Sequence, residues 1–266
     1  MAISNPVLNE SRWREAIGGV GYTMPTERPR TMTLQGTAFA TGVLFLLVSV
    51  AAAWGYQQVD QTFTTEFVPG EGSVVVSTAR LPTWLPLAVI AGLVLALITA
   101  FVPKAARFTA PAYALSYGAA VGAISAFYNI ASNGIVFQAV LATFATFGVM
   151  YVLYVTRIIR ATRRFIVVIV AATGGIFVMY LVGFIASVFG ADWAFWNDPT
   201  PLGIGISVVI CAVAALNLVL DFAFIESATE AGAPKYMEWY GAFGLTVTMI
   251  WLYLEILRLL SLLNRR

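Results

Sequence analysis

Apolar residues in this chain come in seven long blocks, separated by short breaks that hold most of the charges, glycines and prolines. Within a block the apolar run is continuous and does not alternate at every second residue, so helices are expected rather than the strands of a membrane barrel. Windows of about 19 residues place the blocks near Leu34–Tyr56, Trp84–Val102, Ala110–Ala131, Ile135–Val155, Phe165–Gly190, Leu202–Ile225 and Glu238–Leu263. Each is near or above the roughly 20 residues that a helix needs to cross about 30 Å of hydrocarbon. The pattern predicts an all-α integral membrane protein: a polar N-terminal tail over 1–33, then a seven-helix transmembrane bundle over 34–266.

The breaks carry their own signals. Ser132-Asn133-Gly134 reads as a tight turn between two antiparallel helices, and Gly232 with Pro234 as the end of the sixth. Val68-Pro69-Gly70-Glu71-Gly72, flanked by β-branched residues, predicts a small β-hairpin between the first two spans. Gly118 and Gly122 on the third span, with Ser125 one turn on, and Gly174 with Gly175 on the fifth, mark expected close helix contacts.

Composition agrees: 60% of residues are hydrophobic and 11% charged, where a soluble domain carries about 25% charged residues. Histidine is absent, and the single cysteine, Cys211, lies in an apolar block. That excludes His-based triads, His metal sites and internal disulfides. An enzyme is therefore not expected, and no cofactor is implied. No basic stripe with interleaved aromatics suggests nucleic acid. The only lysines, Lys104 and Lys235, sit at span edges, so a retinal Schiff base inside the last helix is not expected.

The placement of Lys and Arg sets an expected orientation. With a cytoplasmic N-terminus, the inner segments hold Arg12, Arg14, Arg28, Arg30, Lys104, Arg107, Arg157, Arg160, Arg163, Arg164 and Lys235, 11 in all. The outer segments hold 4: Arg80, Arg258, Arg265 and Arg266. Arg265 and Arg266 dissent, because seven spans put the C-terminus outside. Trp54, Trp84, Trp193 and Trp196 fall at outer span ends and Trp239 at an inner one, the headgroup level that amphipathic rings prefer. The arginines at 157–164 are expected to set topology and meet anionic headgroups. The polar start has no early apolar core, so no cleavable secretory signal is expected.

Ionisable groups inside the apolar blocks are few: Asp221, Glu238, Glu255 and Arg258. A charge in hydrocarbon is costly and should face the bundle interior with a partner. Two readings compete. In the first, Asp221 and another carboxylate stand together, share a proton, titrate as a unit and offer hard oxygen ligands to a cation such as calcium. In the second, Asp221 anchors the inner end of its helix, while Glu255 pairs with Arg258 one turn on. Glu226 and Glu230, with Lys235 in the turn before the last span, are the acids expected to be solvated.

Several segments resemble a known family. They are Ser4-Asn-Pro-Val-Leu-Asn9, Gly203-Ile-Gly-Ile-Ser207, Ala215-Leu-Asn-Leu-Val-Leu-Asp-Phe-Ala-Phe-Ile-Glu226, Ala233-Pro-Lys-Tyr-Met-Glu-Trp-Tyr240 and Trp251-Leu-Tyr-Leu-Glu-Ile-Leu-Arg-Leu-Leu260. Together they look like a bacterial branch of the Bax-inhibitor-like transmembrane family, over nearly the whole chain. The resemblance implies seven helices with the last one central, in a bacterial plasma membrane, and a pH-responsive calcium leak. It implies equally a non-conducting regulator of a membrane protease or of a stress response, with the N-terminal tail as its handle. In the family an aspartate on the sixth helix pairs with one on the seventh. Asp221 matches the first, and Glu255 stands at the second in a Leu-Tyr-Leu context. Both become proton-sensing gate candidates, with Arg258 as ion-pair partner. Tyr117-Gly118 stands where many relatives have Glu-Gly. The spacing of 34 residues from Asp221 to Glu255 exceeds the family's. With the turn centred near Ala233, Asp221 faces position 246 instead, roughly 13 Å from 255 along the helix. Glu238 is the alternative partner.

Overall fold

The computed structural model describes residues 31–68, 72–190 and 198–265. Seven long helices occur among them: α1 (Leu34–Gln57), α2 (Leu85–Phe101), α3 (Ala106–Ala131), α4 (Ile135–Val155), α5 (Arg163–Val188), α6 (Pro201–Glu230) and α7 (Met237–Asn264). Threonines start three of them. Thr33, Thr162 and Thr200 each sit in extended backbone and accept from the amide three residues on, which satisfies an otherwise orphaned helical N–H. Pro201 at the first turn of α6 adds a φ already set for the helix. The turns follow the sequence signals: Gly134 and Gly232 adopt φ of 81° and 66°, a left-handed backbone that glycine enters without a Cβ penalty. An antiparallel β-hairpin, β1 (Asp60–Val68) and β2 (Gly72–Arg80), joins α1 to α2. Its tip, and Trp193 and Trp196, lie outside the described residues, as does most of the expected N-terminal tail.

Five helices, α1 and α4 to α7, are long and apolar enough to cross a membrane. Helices α2 and α3 pass the same test jointly, as a pair bent by 118° at the Pro103–Ala105 turn, giving up to six candidate spans. The bend exceeds a right angle because Pro103 ends α2 and a single 3₁₀ turn reverses the chain. The Thr99 hydroxyl, fully buried, then donates to Thr109 at 2.7 Å and ties the two legs.

Helix α7 is the centre. It packs against α1, α3, α4 and α6, and its buried side chains occur all round the helix, Leu245, Met249, Leu252 and Ile256 toward α4 and α6, Ala242, Phe243 and Ile250 toward α1 and α3. A helix apolar on every side is one buried on every side. At the other extreme, α5 touches its neighbours sparingly and turns Phe177, Phe184 and Val188 outward. Such exposed apolar surface, repeated on α1, α2, α4 and α6, is what lipid covers.

Close approach of α1 and α3 depends on glycine. A Cβ at Gly122 would run into the α1 backbone at Ala52, and one at Gly55 into the α3 backbone at Ala119. Gly118 lies against Val48 and Ala51 of the same helix. The contact expected at Gly174 and Gly175 is absent among the described residues: none of them stands within 4 Å of a Cβ built at either. Spacing alone cannot tell a glycine that packs from one that faces lipid. Gly122→Ala should therefore cost about 1–3 kcal/mol by overpacking, read as a lower unfolding temperature in detergent, and Gly174→Ala should leave that temperature unchanged or raise it.

Candidate functional site

Four acids on α6 and α7 are at least partly buried: Asp221, Glu226, Glu238 and Glu255. They occupy four separate places, and three of them are balanced.

Glu238 lies in the first turn of α7 and is 5% exposed. Its Oε1 accepts from the Thr33 amide at 3.1 Å and from the Thr33 hydroxyl at 2.9 Å. Lys235 stands 3.2 Å from its Oε2. The Met32 amide donates to the Ala233 carbonyl at 2.7 Å beside it. The carboxylate thus caps the positive end of α1 and pins that end to the α6–α7 turn. Gly36 is the residue that leaves room for it, since a Cβ there would collide with the carboxylate.

Glu255 lies far along α7, also 5% exposed. Its Oε2 is 2.7 Å from Arg258 Nη2, three residues on. Its Oε1 accepts from the Tyr180 hydroxyl of α5 at 2.5 Å and from Trp251 Nε1 at 3.2 Å. Arg258 Nη1 donates to Tyr180 at 2.6 Å and its Nε to Ser207 of α6 at 3.3 Å. Opposite charges at one helical turn, both withdrawn from water, cancel locally, and the hydroxyls take up the remaining bonds. This cluster draws in α5, which has little apolar contact elsewhere. Asn217 donating to Thr173 at 2.8 Å also ties α5 to α6.

Glu226, expected in solvent, keeps 29% of its side chain exposed and is also paired there. Arg157 grips it from the α4–α5 turn, with Nη2 2.5 Å from Oε1 and Nη1 3.2 Å from Oε2, and the Tyr154 hydroxyl donates to the same carboxylate. Arg157 reaches it from a left-handed backbone, φ 59°, unusual for a residue with a side chain. Linear sequence gives no hint of such a turn. Lys235 is likewise engaged, by Glu238.

Asp221 differs. Its carboxylate faces α7, with Oδ1 3.6 Å from where a Cβ on Gly244 would stand. The Thr248 hydroxyl, which donates to the Gly244 carbonyl at 3.2 Å, also lies within its reach. Oδ2 is shut off from solvent and has no hydrogen-bond partner among the described residues. No ion pair to Asp221 occurs among the described residues. The level is the one the helix geometry predicts, 244 to 248 about the expected 246, and the consequence follows. Position 255 lies 11 residues beyond 244, about 16 Å along the axis. The structure does not bring Asp221 and Glu255 together. The second of the two sequence readings holds for Glu255, which pairs with Arg258. Glu238 turns to α1, also away from Asp221.

Sequence reasoning missed Thr33, Tyr180, Ser207, Trp251 and Thr248 as partners. Thr33 was legible as a cap, and Trp251 lies at an i,i+4 spacing to Glu255. Tyr180 carried one signal, a polar tip in the middle of an otherwise apolar span.

Removing the Arg258 charge leaves Glu255 buried without its counterion. Arg258→Met should destabilise the bundle by about 3–5 kcal/mol, and adding Glu255→Gln to it should recover most of that loss in the same detergent unfolding assay.

No curated protein matches the chain. The sequence model of the family described as Bax inhibitor 1 like matches residues 5–265. The match covers nearly the full length: this multi-pass membrane protein of seven long helices belongs to the Bax inhibitor 1 like family.

Proposed function

We propose that this protein lets a cation, calcium by preference, down its gradient across a bacterial plasma membrane under proton control, with Asp221 as the titrating gate. The observation that carries this reading is the unpartnered, enclosed Oδ2 of Asp221 in a bundle where every other partly buried acid of α6 and α7 has its counter-group. An ionised carboxylate has no compensation in that packing, whereas a neutral acid needs none. Ionisation therefore favours an arrangement in which α6 parts from α7 near Gly244 and Thr248 and admits water or a cation to the carboxylate. Protonation favours the closed packing. Two states biased by one proton are what a pH-controlled gate requires. Carboxylate and hydroxyl oxygens suit a hard cation. Among the described residues no cluster of three His, Cys, Asp or Glu forms, so the ion is taken as a passing one. Glu255 and Glu238, the other gate candidates, are assigned to holding α5 and α1 in place.

Charge placement supports seven crossings with a cytoplasmic N-terminus. If the α2–α3 pair crossed once, Arg157, Arg160, Arg163 and Arg164 would move to the outer side. If it dipped in and returned, Lys104 and Arg107 would lie within hydrocarbon. Two crossings avoid both, and α2 with 17 residues spans about 26 Å, close to a bilayer core.

Calcium efflux from liposomes holding the purified protein tests the proposal. Flux should rise with pH in the wild type and fall to a low, pH-independent level in Asp221→Asn. A variant that keeps the wild-type pH profile would remove Asp221 from the gate. No flux in the folded wild type would remove conduction and leave a regulatory interaction as the family-level reading.

A further inference from the structure

The face of α7 opposite Asp221 borders a cavity. Thr246, Met249, Ile250 and Tyr253 line it, and at 100° per residue they lie about half a turn from Gly244 and Thr248. The cavity holds about 330 Å³, at the low end of small-molecule sites. Its outer walls are α1 and α4, whose Phe45 and Phe144 meet edge to face at 6.2 Å. Phe144, which lines the cavity from α4, is 53% exposed, so this wall borders lipid.

The lining decides what would bind. No charged residue reaches the cavity, so a phosphate, carboxylate or ammonium head would enter without a counter-charge at large desolvation cost. The polar groups are hydroxyls, and apart from Tyr56 at the end of the α1 wall, which accepts from Asn129 at 2.9 Å, their protons are already spent. Ser49 donates to the Phe45 carbonyl at 2.8 Å, Thr143 to Ala139 at 2.7 Å and Thr246 to Ala242 at 2.8 Å. Ser125 donates to Val121 at 2.7 Å, which leaves Tyr253 to donate to Ser125 across 2.7 Å. Each such oxygen keeps lone pairs and offers no hydrogen. Around Thr143, Thr246 and Ser125 the cavity is an apolar slot with acceptors, in want of one donor. Its volume fits about eleven groups of water size, a medium alkyl chain.

We propose that this cavity binds a neutral hydroxyl-bearing lipid, a single alkyl chain ending in an alcohol, taken up sideways from the bilayer between α1 and α4. The site is independent of the Asp221 gate, since α7 stands between them.

The full-length protein in phosphatidylcholine nanodiscs tests this with a photoactivatable undecanol, its adducts mapped by peptide mass spectrometry. Adducts should concentrate on 45–56 and 136–144, and undecanol should compete at least tenfold better than undecane or undecanoate. Val140→Trp, which fills the slot, should reduce labelling there at least tenfold. Thr143→Val with Thr246→Val keeps side-chain size and should erase the preference for undecanol over undecane, even if the tryptophan variant does not fold. Labelling spread evenly over lipid-facing helices, α5 included, would overturn the proposal. So would equal competition by the alkane and the carboxylate, or a preference that survives the double valine variant.

Discussion

An ionised carboxylate surrounded by hydrocarbon must find a counter-group, take up a proton or move. The helix bundle meets that constraint in three ways. Glu238 is neutralised by the amino end of α1 and by Lys235. Glu255 and Glu226 are neutralised by arginines, each with a tyrosine hydroxyl on the same carboxylate. Asp221 has Thr248 beside it and no cation. The first three acids use charge as mortar: they fasten α1, α5 and the α4–α5 turn to the α6–α7 unit, at places where apolar packing alone would not choose one geometry. Asp221, in its ionised form, fastens nothing among the described residues, and it is the acid for which we propose a switching role.

The division of labour follows from the central place of α7. Because neighbours surround it, each face of the helix can do something different. One face meets Asp221 through Gly244, the small residue that lets a carboxylate lie against the helix. The opposite face lines the neutral cavity. Its far end carries the Glu255–Arg258 pair that holds α5. Helix α5 is the loosest piece, bound by a few polar contacts and a long lipid-facing surface. In a bilayer, where lipid tails are as apolar as leucine, such polar contacts and close glycine packing replace the hydrophobic effect as the source of specific association.

The helices were legible because hydrocarbon demands continuous apolar runs of fixed length, and the turns because Gly134 and Gly232 need a backbone that other residues avoid. The level at which Asp221 meets α7 was legible as well, since rise per residue is constant on both sides of a short turn. The pairing of Glu255 with Arg258 could be read from one helical turn of separation. What stayed hidden involves contacts between distant segments. Tyr180 meets Glu255 75 residues away, and Thr33 meets Glu238 205 residues away. Arg157 pairs with Glu226 at the surface through a left-handed turn that composition does not announce. Gly174 and Gly175 looked like a packing surface and face open space, because small residues mark a contact only where a partner helix arrives.

The most direct test of the account is infrared difference spectroscopy of the reconstituted protein across a pH titration, with Asp221→Asn as reference, alongside a spin-label distance between the Asp221 region of α6 and the Gly244 region of α7. The account predicts a protonated-carboxyl band that disappears in the variant, and an α6–α7 separation that grows as that band is lost. A band belonging to Asp221 that titrates with no change in separation would contradict it, as would a separation that still follows pH in the variant.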